Sequence, residues 1–175
     1  MVDPRHLGSV SGDAVCSGPG VERLVLTDLV TTDPNRWNRE GEPTLYLAGD
    51  LGVALAELGR HHREPGGTLR IWRVRLSLDA ALDLRDDPTR GALGVPDDPR
   101  WYLDRDRCRD LAARARATPG CDGLIVPTVA VLDDPQRWNA VVFADVPDRP
   151  LEAMVSIEGP ALDVVGVPHG GRAAG

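Results

Sequence analysis

The clearest periodic segment of the chain is Thr68–Leu78 (TLRIWRVRLSL), where apolar residues alternate with Arg or Ser. A period of two sends one set of side chains to a core and the other to water, so this stretch reads as a half-buried strand. Its outward face is expected to carry Arg70, Arg73 (one position out of step) and Arg75. Gly123–Pro127 (GLIVP) is continuously apolar, the pattern of a strand buried on both faces. Pro43–Ala48 (PTLYLA), Ala140–Ala144 and Met154–Ile157 read as further strands, and Val21–Thr27 as a first strand or short amphipathic stretch. Asp50 is a good N-cap for a helix from Leu51 to about His62. Leu51, Ala54, Leu55 and Leu58 recur there at helical spacing and are the expected core face. A second, Arg-rich helix runs from Trp101 to about Ala117 and stops before Pro119–Gly120.

The remaining segments lack a period. Asp33–Gly41 is a loop of turn-forming residues, and residues 83–99, crowded with Asp, Pro and Gly, read as a long irregular connection. Residues 1–20 are rich in Gly, Ser and Pro and read as a flexible lead-in; residues 161–175 read as a flexible tail. That leaves residues 21–160 as one domain. Strands outnumber two main helices, so the class is α+β with a substantial sheet. The hexapeptides Asp33–Asn38 (DPNRWN) and Asp134–Asn139 (DPQRWN) echo one another, but their surroundings differ and no duplicated unit follows.

Composition narrows the chemistry. The 175 residues carry a net charge of -7, which argues against nonspecific nucleic-acid binding. All 20 basic residues are Arg. A lysine nucleophile, Schiff-base chemistry and a phosphate-loop lysine are therefore excluded, and an anionic ligand needs Arg, His, backbone N–H groups or a metal. Cys16, Cys108 and Cys121 have no CxxC spacing, and His6, His61, His62 and His169 form no ligand set, so no metal site is expected. The His61–His62 pair fits the end of a helix. No apolar run of about 18 residues and no secretory leader are visible, so a cytoplasmic location without membrane contact is the expectation.

The chemistry-bearing residues concentrate between Arg36 and Glu57. Arg36, Trp37 and Asn38 lie in a loop, Tyr46 in the following strand, and Glu57 in the first helix close to its apolar face. A carboxylate placed there loses water and calls for a cation or donor, for which Arg36 is the nearest candidate in the motif. A fold-holding ion pair, a core tyrosine and a packing tryptophan also account for the same residues.

The string RWNREGEPTLYLAGDLGVALAELGRH resembles the first motif of the RES domain family, and CDGLIVPT followed by NAVVF resembles the second. The resemblance runs over roughly residues 23–145. It implies a fold related to the NAD-binding core of ADP-ribosyltransferase toxins, a mixed or antiparallel β-sheet with flanking helices. It also implies an enzyme that destroys NAD+ at the nicotinamide–ribose bond by phosphorolysis or hydrolysis, as the toxin of a toxin–antitoxin pair. By motif position, Arg36, Tyr46, Glu57 and Thr128 are the implied catalytic residues, with Trp37, Asn38 and Asn139 joining Arg36 and Tyr46 in substrate binding. Thr128 stands where the family usually has Ser, which keeps the hydroxyl but adds a methyl group. Asn35 replaces a residue that is often Gly.

On this reading NAD+ is the substrate, phosphate is a candidate co-substrate, and no metal or other cofactor is used. A cognate antitoxin is the implied protein partner, and a homo-oligomer stays open. Two other functions remain at this point: a transferase placing ADP-ribose on a macromolecule, and a RES-like binding module without turnover.

Overall fold

The computed structural model describes residues 1–19, 24–61 and 68–165. Its sheet has seven strands: β1 (Leu7–Pro19), β2 (Val30–Thr31), β3 (Thr44–Ala48), β4 (Thr68–Asp83), β5 (Gly123–Pro127), β6 (Trp138–Phe143) and β7 (Val155–Val165). They run in the order β1-β3-β6-β5-β4-β7, with β2 on β3. Long β4 also pairs with β1, so the path β1-β3-β6-β5-β4 returns to its start. β4 and β5 are parallel; every other pair is antiparallel. The helices are α1 (Leu51–His61), α2 (Asp87–Leu93), α3 (Arg105–Arg116) and the single turn α4 (Leu151–Met154). This is the α+β class with a mixed sheet and flanking helices that the sequence implied.

Several local expectations are overturned. The supposed lead-in contains β1, which pairs with β4 along almost its whole length, so the sheet starts before residue 21. Its alternation is present but muted: Val10, Ala14 and Cys16 face inward against Ser9, Ser11 and Asp13, with glycines between. β7 likewise runs past residue 160 to Val165, and residues 166–175 lie outside the described part. Of the expected strand Val21–Thr27, residues 21–23 lie outside the described part, while Leu26–Leu29 form a 3-10 turn. His62, half of the pair assigned to a helix end, is also outside it.

The connection at 83–99 holds α2, capped by Asp86, whose carboxylate accepts from the Thr89 amide at 2.9 Å. The second helix begins at Arg105 rather than Trp101. Asp104 caps it by accepting from the amides of Asp106 and Arg107, and Pro99–Leu103 form a separate 3-10 turn. Short polar side chains that satisfy the first free amides fix both starts.

β4 is covered differently along its length. Trp72, Val74, Leu76 and Leu78 face one core cluster, while Ile71 points to the opposite face beneath α1. Just beyond Ile71, Arg73 and Arg75 are exposed on that face. Arg70 belongs to the other face, with its guanidinium 5.6 Å from the Trp72 ring, which explains why the Arg positions were out of step.

α1 buries Val53 and Ala54, with Leu58 partly buried, against Val15, Ala48 and Ile71. Leu51 and Leu55, expected inside, are exposed at 40% and 41%. Small partners on β1 and β3 select the Val53–Ala54–Glu57–Leu58 stripe as the inner face, and so turn Glu57 inward. α3 packs Cys108, Leu111, Ala112 and Ala115 on Leu124, Val126, Val141 and Phe143. Burying each such large side chain is worth ~1.5–3 kcal/mol, enough to fix where α3 sits.

Candidate active site

A cavity of about 260 Å³ opens where β1 and β3 part, between α1 and the loop before β3. Its walls include Arg36, Trp37, Tyr46, Glu57 and Asn139, five of the seven residues singled out from the sequence. Asn38 and Thr128 are buried behind them and do not line it.

The loop is built around Asn38, which is fully buried. Its amide nitrogen donates to the carbonyls of Asp33 at 2.8 Å and Arg39 at 3.1 Å, bending the chain into a closed turn. The Tyr46 hydroxyl donates to Asn38 Oδ1 at 2.8 Å and accepts from the Trp37 amide at 3.2 Å. With its hydroxyl committed in both directions, Tyr46 offers the cavity its ring. Burial pushes the phenol pKa well above its ordinary value, so it stays protonated as this bonding requires. Trp37 packs with Tyr102 at a ring separation of 6.3 Å and roots the loop in the core under α3.

Arg36 does not turn to Glu57. Its guanidinium donates to the Tyr102 carbonyl at 2.6 Å, and the Arg109 side chain donates to the Asn35 carbonyl at 2.8 Å. The segment at the start of α3 thus holds the loop at two consecutive residues, with Arg36 half-buried on the cavity wall.

Glu57 is oriented from two strands. The Thr128 hydroxyl, one residue past β5, donates to Glu57 Oε1 at 2.6 Å, and the Asn139 amide on β6 donates to the same oxygen at 3.1 Å. Thr128 in turn accepts from the Ala130 amide at 3.2 Å, which sets its rotamer. Hydrogen bonds to a carboxylate are stronger than those between neutral groups, and the two together orient Oε1. The methyl of Thr128 is accommodated, since the residue is 1% exposed with its hydroxyl still on Glu57.

One glycine and one carboxylate support the same corner. A Cβ on Gly49 would lie 2.5 Å from the Trp138 ring, so only glycine lets that ring cover the β3–α1 turn. Asp50 caps α1 through the Val53 amide at 3.0 Å and pairs with Arg137 at 2.9 Å. The two Arg-Trp-Asn echoes therefore flank one cavity in different roles: Asn38 holds a loop, and Asn139 touches the carboxylate.

The sequence reading missed the wall given by Val15, Cys16 and Ser17 of β1, and Arg105 on α3. The alternation of small residues in β1 was the available signal; nothing marked Arg105 out in an Arg-rich helix. Cys16 is not a nucleophile in waiting. Burial raises its thiol to about 12, and those of Cys108 and Cys121 to about 12 and 11, so all three are neutral thiols near pH 7. Iodoacetamide is expected to leave the folded protein unlabelled by mass spectrometry and to add three groups after denaturation; rapid labelling of the native protein would contradict this burial.

Residues 27–164 match the family model described as RES domain. No curated protein matches the chain. Among solved structures, a similar chain occurs in the crystal structure of the M. tuberculosis MbcT–MbcA toxin–antitoxin complex, with a TM-score of 0.70 and 19% identity. The alignment covers 92% of this chain and 88% of that one. At that identity the likeness is one of fold, whereas the family match spans most of the sequence and includes both motifs: the chain belongs to the RES domain family.

Proposed function

We propose that this protein is the toxin of a toxin–antitoxin pair and acts by consuming NAD+ at the bond between nicotinamide and ribose. The observation that carries this reading is the carboxylate of Glu57, oriented by Thr128 and Asn139 at a cavity whose loop-side wall carries Arg36. The family membership and the likeness to a chain of a toxin–antitoxin complex support the toxin role.

The substrate's polarity matches the site. The pyridinium end of NAD+ is cationic and its pyrophosphate anionic; Glu57 receives the first and Arg36 the second. A cavity of about 260 Å³ suits the nicotinamide riboside end and leaves the adenosine outside. The C1′–N1 bond breaks with its electron pair going to nicotinamide, which leaves as a neutral molecule. Positive charge then develops on C1′ and the ring oxygen of ribose, and the fixed negative charge of Glu57 stabilises it. Water or phosphate adds to C1′ from the open side. Water gives ADP-ribose and releases a proton to solvent; phosphate gives ADP-ribose 1″-phosphate. The Tyr46 ring forms the wall against which nicotinamide packs.

The test is incubation of the purified protein with NAD+ in buffers with and without phosphate, followed by chromatography of the products. Nicotinamide release is expected in at least one buffer, and the partner product identifies the acceptor. Intact NAD+ in both buffers after prolonged incubation at high enzyme concentration would overturn the reading.

A further inference from the structure

The cavity carries a second guanidinium that the family motifs do not include. Arg105, the first residue of α3, lines the cavity and is exposed. Among the described residues its side chain makes no hydrogen bond or ion pair, although most arginines of this acidic chain have a carboxylate or carbonyl partner. The acidic residues on either side of it are engaged elsewhere. Asp104 caps α3 and pairs with Arg107 at 3.0 Å, while Asp106 faces Arg109 at 3.8 Å. The capping carboxylate also takes the first amides of the helix, so the guanidinium, not the helix end, is what the cavity meets.

The position of Arg105 is tied to that of Arg36. Arg36 is held by the carbonyl of Tyr102, three residues before Arg105, so one stretch of backbone sets the spacing between the two cations. Arg36 is the half-buried member of the pair and Arg105 the outer one. Glu57 lies on the α1 wall of the same cavity. In a dinucleotide whose nicotinamide riboside end sits at Glu57, the two phosphates follow in sequence toward the mouth.

From this arrangement we infer that Arg105 binds the second, adenosine-side phosphate of the dinucleotide, and so sets a preference for pyrophosphate-bridged substrates over mononucleotides. The inference rests on the NAD+ reading above, and adds to it a residue and a specificity. A guanidinium–phosphate contact is a charge-assisted pair, and its loss is expected to weaken binding about ten- to a hundredfold.

The experiment compares wild type with Arg105→Gln, and with Arg114→Gln as a control on the same helix outside this cavity. Calorimetric binding of ADP-ribose is measured alongside kcat/KM for NAD+ and for nicotinamide mononucleotide. Arg105→Gln is expected to weaken ADP-ribose binding at least tenfold and to reduce the NAD+-to-mononucleotide preference by a similar factor; Arg114→Gln tracks wild type. Arg105→Lys, which keeps the charge but loses the fork, falls between.

If wild type binds ADP-ribose but cleaves neither nucleotide, the NAD+-consuming reading fails, while the binding arm still decides for or against Arg105. Equal ADP-ribose affinity in wild type and Arg105→Gln overturns the inference, as does absence of ADP-ribose binding to wild type. So does a variant whose only change is a higher KM for inorganic phosphate, since that would assign Arg105 to the acceptor.

Discussion

Glu57→Gln is expected to lower NAD+ consumption by about a thousandfold while leaving the thermal midpoint close to that of wild type. The substitution keeps shape and volume, and the amide oxygen can still accept from Thr128 and Asn139, so the packing beneath α1 is retained. What disappears is a full negative charge that meets the pyridinium in the bound substrate and, more closely, the oxocarbenium charge that develops on ribose in the transition state. The loss should therefore fall on kcat more than on KM. Thr128→Val supplies the graded comparison. It removes the 2.6 Å bond that orients Glu57 Oε1 together with the acceptor of the Ala130 amide, so a fall of about ten- to a hundredfold is expected. Thr128→Ser restores the hydroxyl and is expected to stay within a few-fold of wild type. Full turnover in Glu57→Gln, measured as nicotinamide release by a correctly folded variant, would remove the carboxylate from the chemistry and with it the mechanism proposed above.

The sequence was legible where side-chain size and period agree. Thr68–Leu78 and Gly123–Pro127 announce β4 and β5 because large apolar residues leave no other way to be buried. Asp50 announces α1 because a short carboxylate before a helical run has an obvious partner in the first free amides. β1 was illegible because its inward positions are Val10, Gly12, Ala14 and Cys16, too small to stand out from a loop, and its stability comes from pairing with β4. The face of α1 was misjudged for a related reason. Leu51 and Leu55 are as apolar as the partly buried Leu58, but the surface beneath the helix offers room for Val53 and Ala54.

At the site, the motifs indicated which residues converge, and the hydrogen bonds separate their work. Asn38 and Thr128 are buried with their polar atoms already engaged, so they position the loop and the carboxylate rather than touch a ligand. Tyr46 is intermediate, its hydroxyl spent on the loop and its ring on the cavity. Such division is invisible in a string of letters, because it depends on which donors the fold delivers to each acceptor.

The second motif also holds the position where one carbon atom is expected to do most damage to the fold. Gly123→Ala should destabilise the protein by about 3 kcal/mol or more, with a fall of roughly 10 °C in the thermal midpoint for a chain of this size. Gly123 opens β5 between two strands, paired in parallel with Ala81 of β4 and antiparallel with Val142 of β6. A Cβ there would be driven against the Val141 carbonyl oxygen and to 3.2 Å from Val142 Cα. Both obstacles are backbone in the sheet interior, so no side chain can swing aside.

Displacing β5 is equally unfavourable, because the preceding residue is pinned. Asp122 is fully buried and its carboxylate accepts from the amides of Asp79 at 2.7 Å and Ala80 at 2.9 Å, and pairs with Arg149 at 3.1 Å. Its own amide donates to the Ala80 carbonyl at 2.7 Å, and its carbonyl accepts from Phe143 at 2.9 Å. Shifting Gly123 would loosen these bonds and, four residues on, the end of β5 that delivers Thr128 to Glu57, so activity should fall along with stability. Gly91→Ala is the matched control. Gly91 lies within α2 with open space at its Cβ position, and alanine there is expected to be neutral or to stabilise by up to about 1 kcal/mol. Thermal denaturation of the two variants beside wild type decides the matter: equal midpoints for Gly123→Ala and wild type would mean that β5 and β6 have slack at their closest approach, and that the glycine of the second motif is there for some reason other than space.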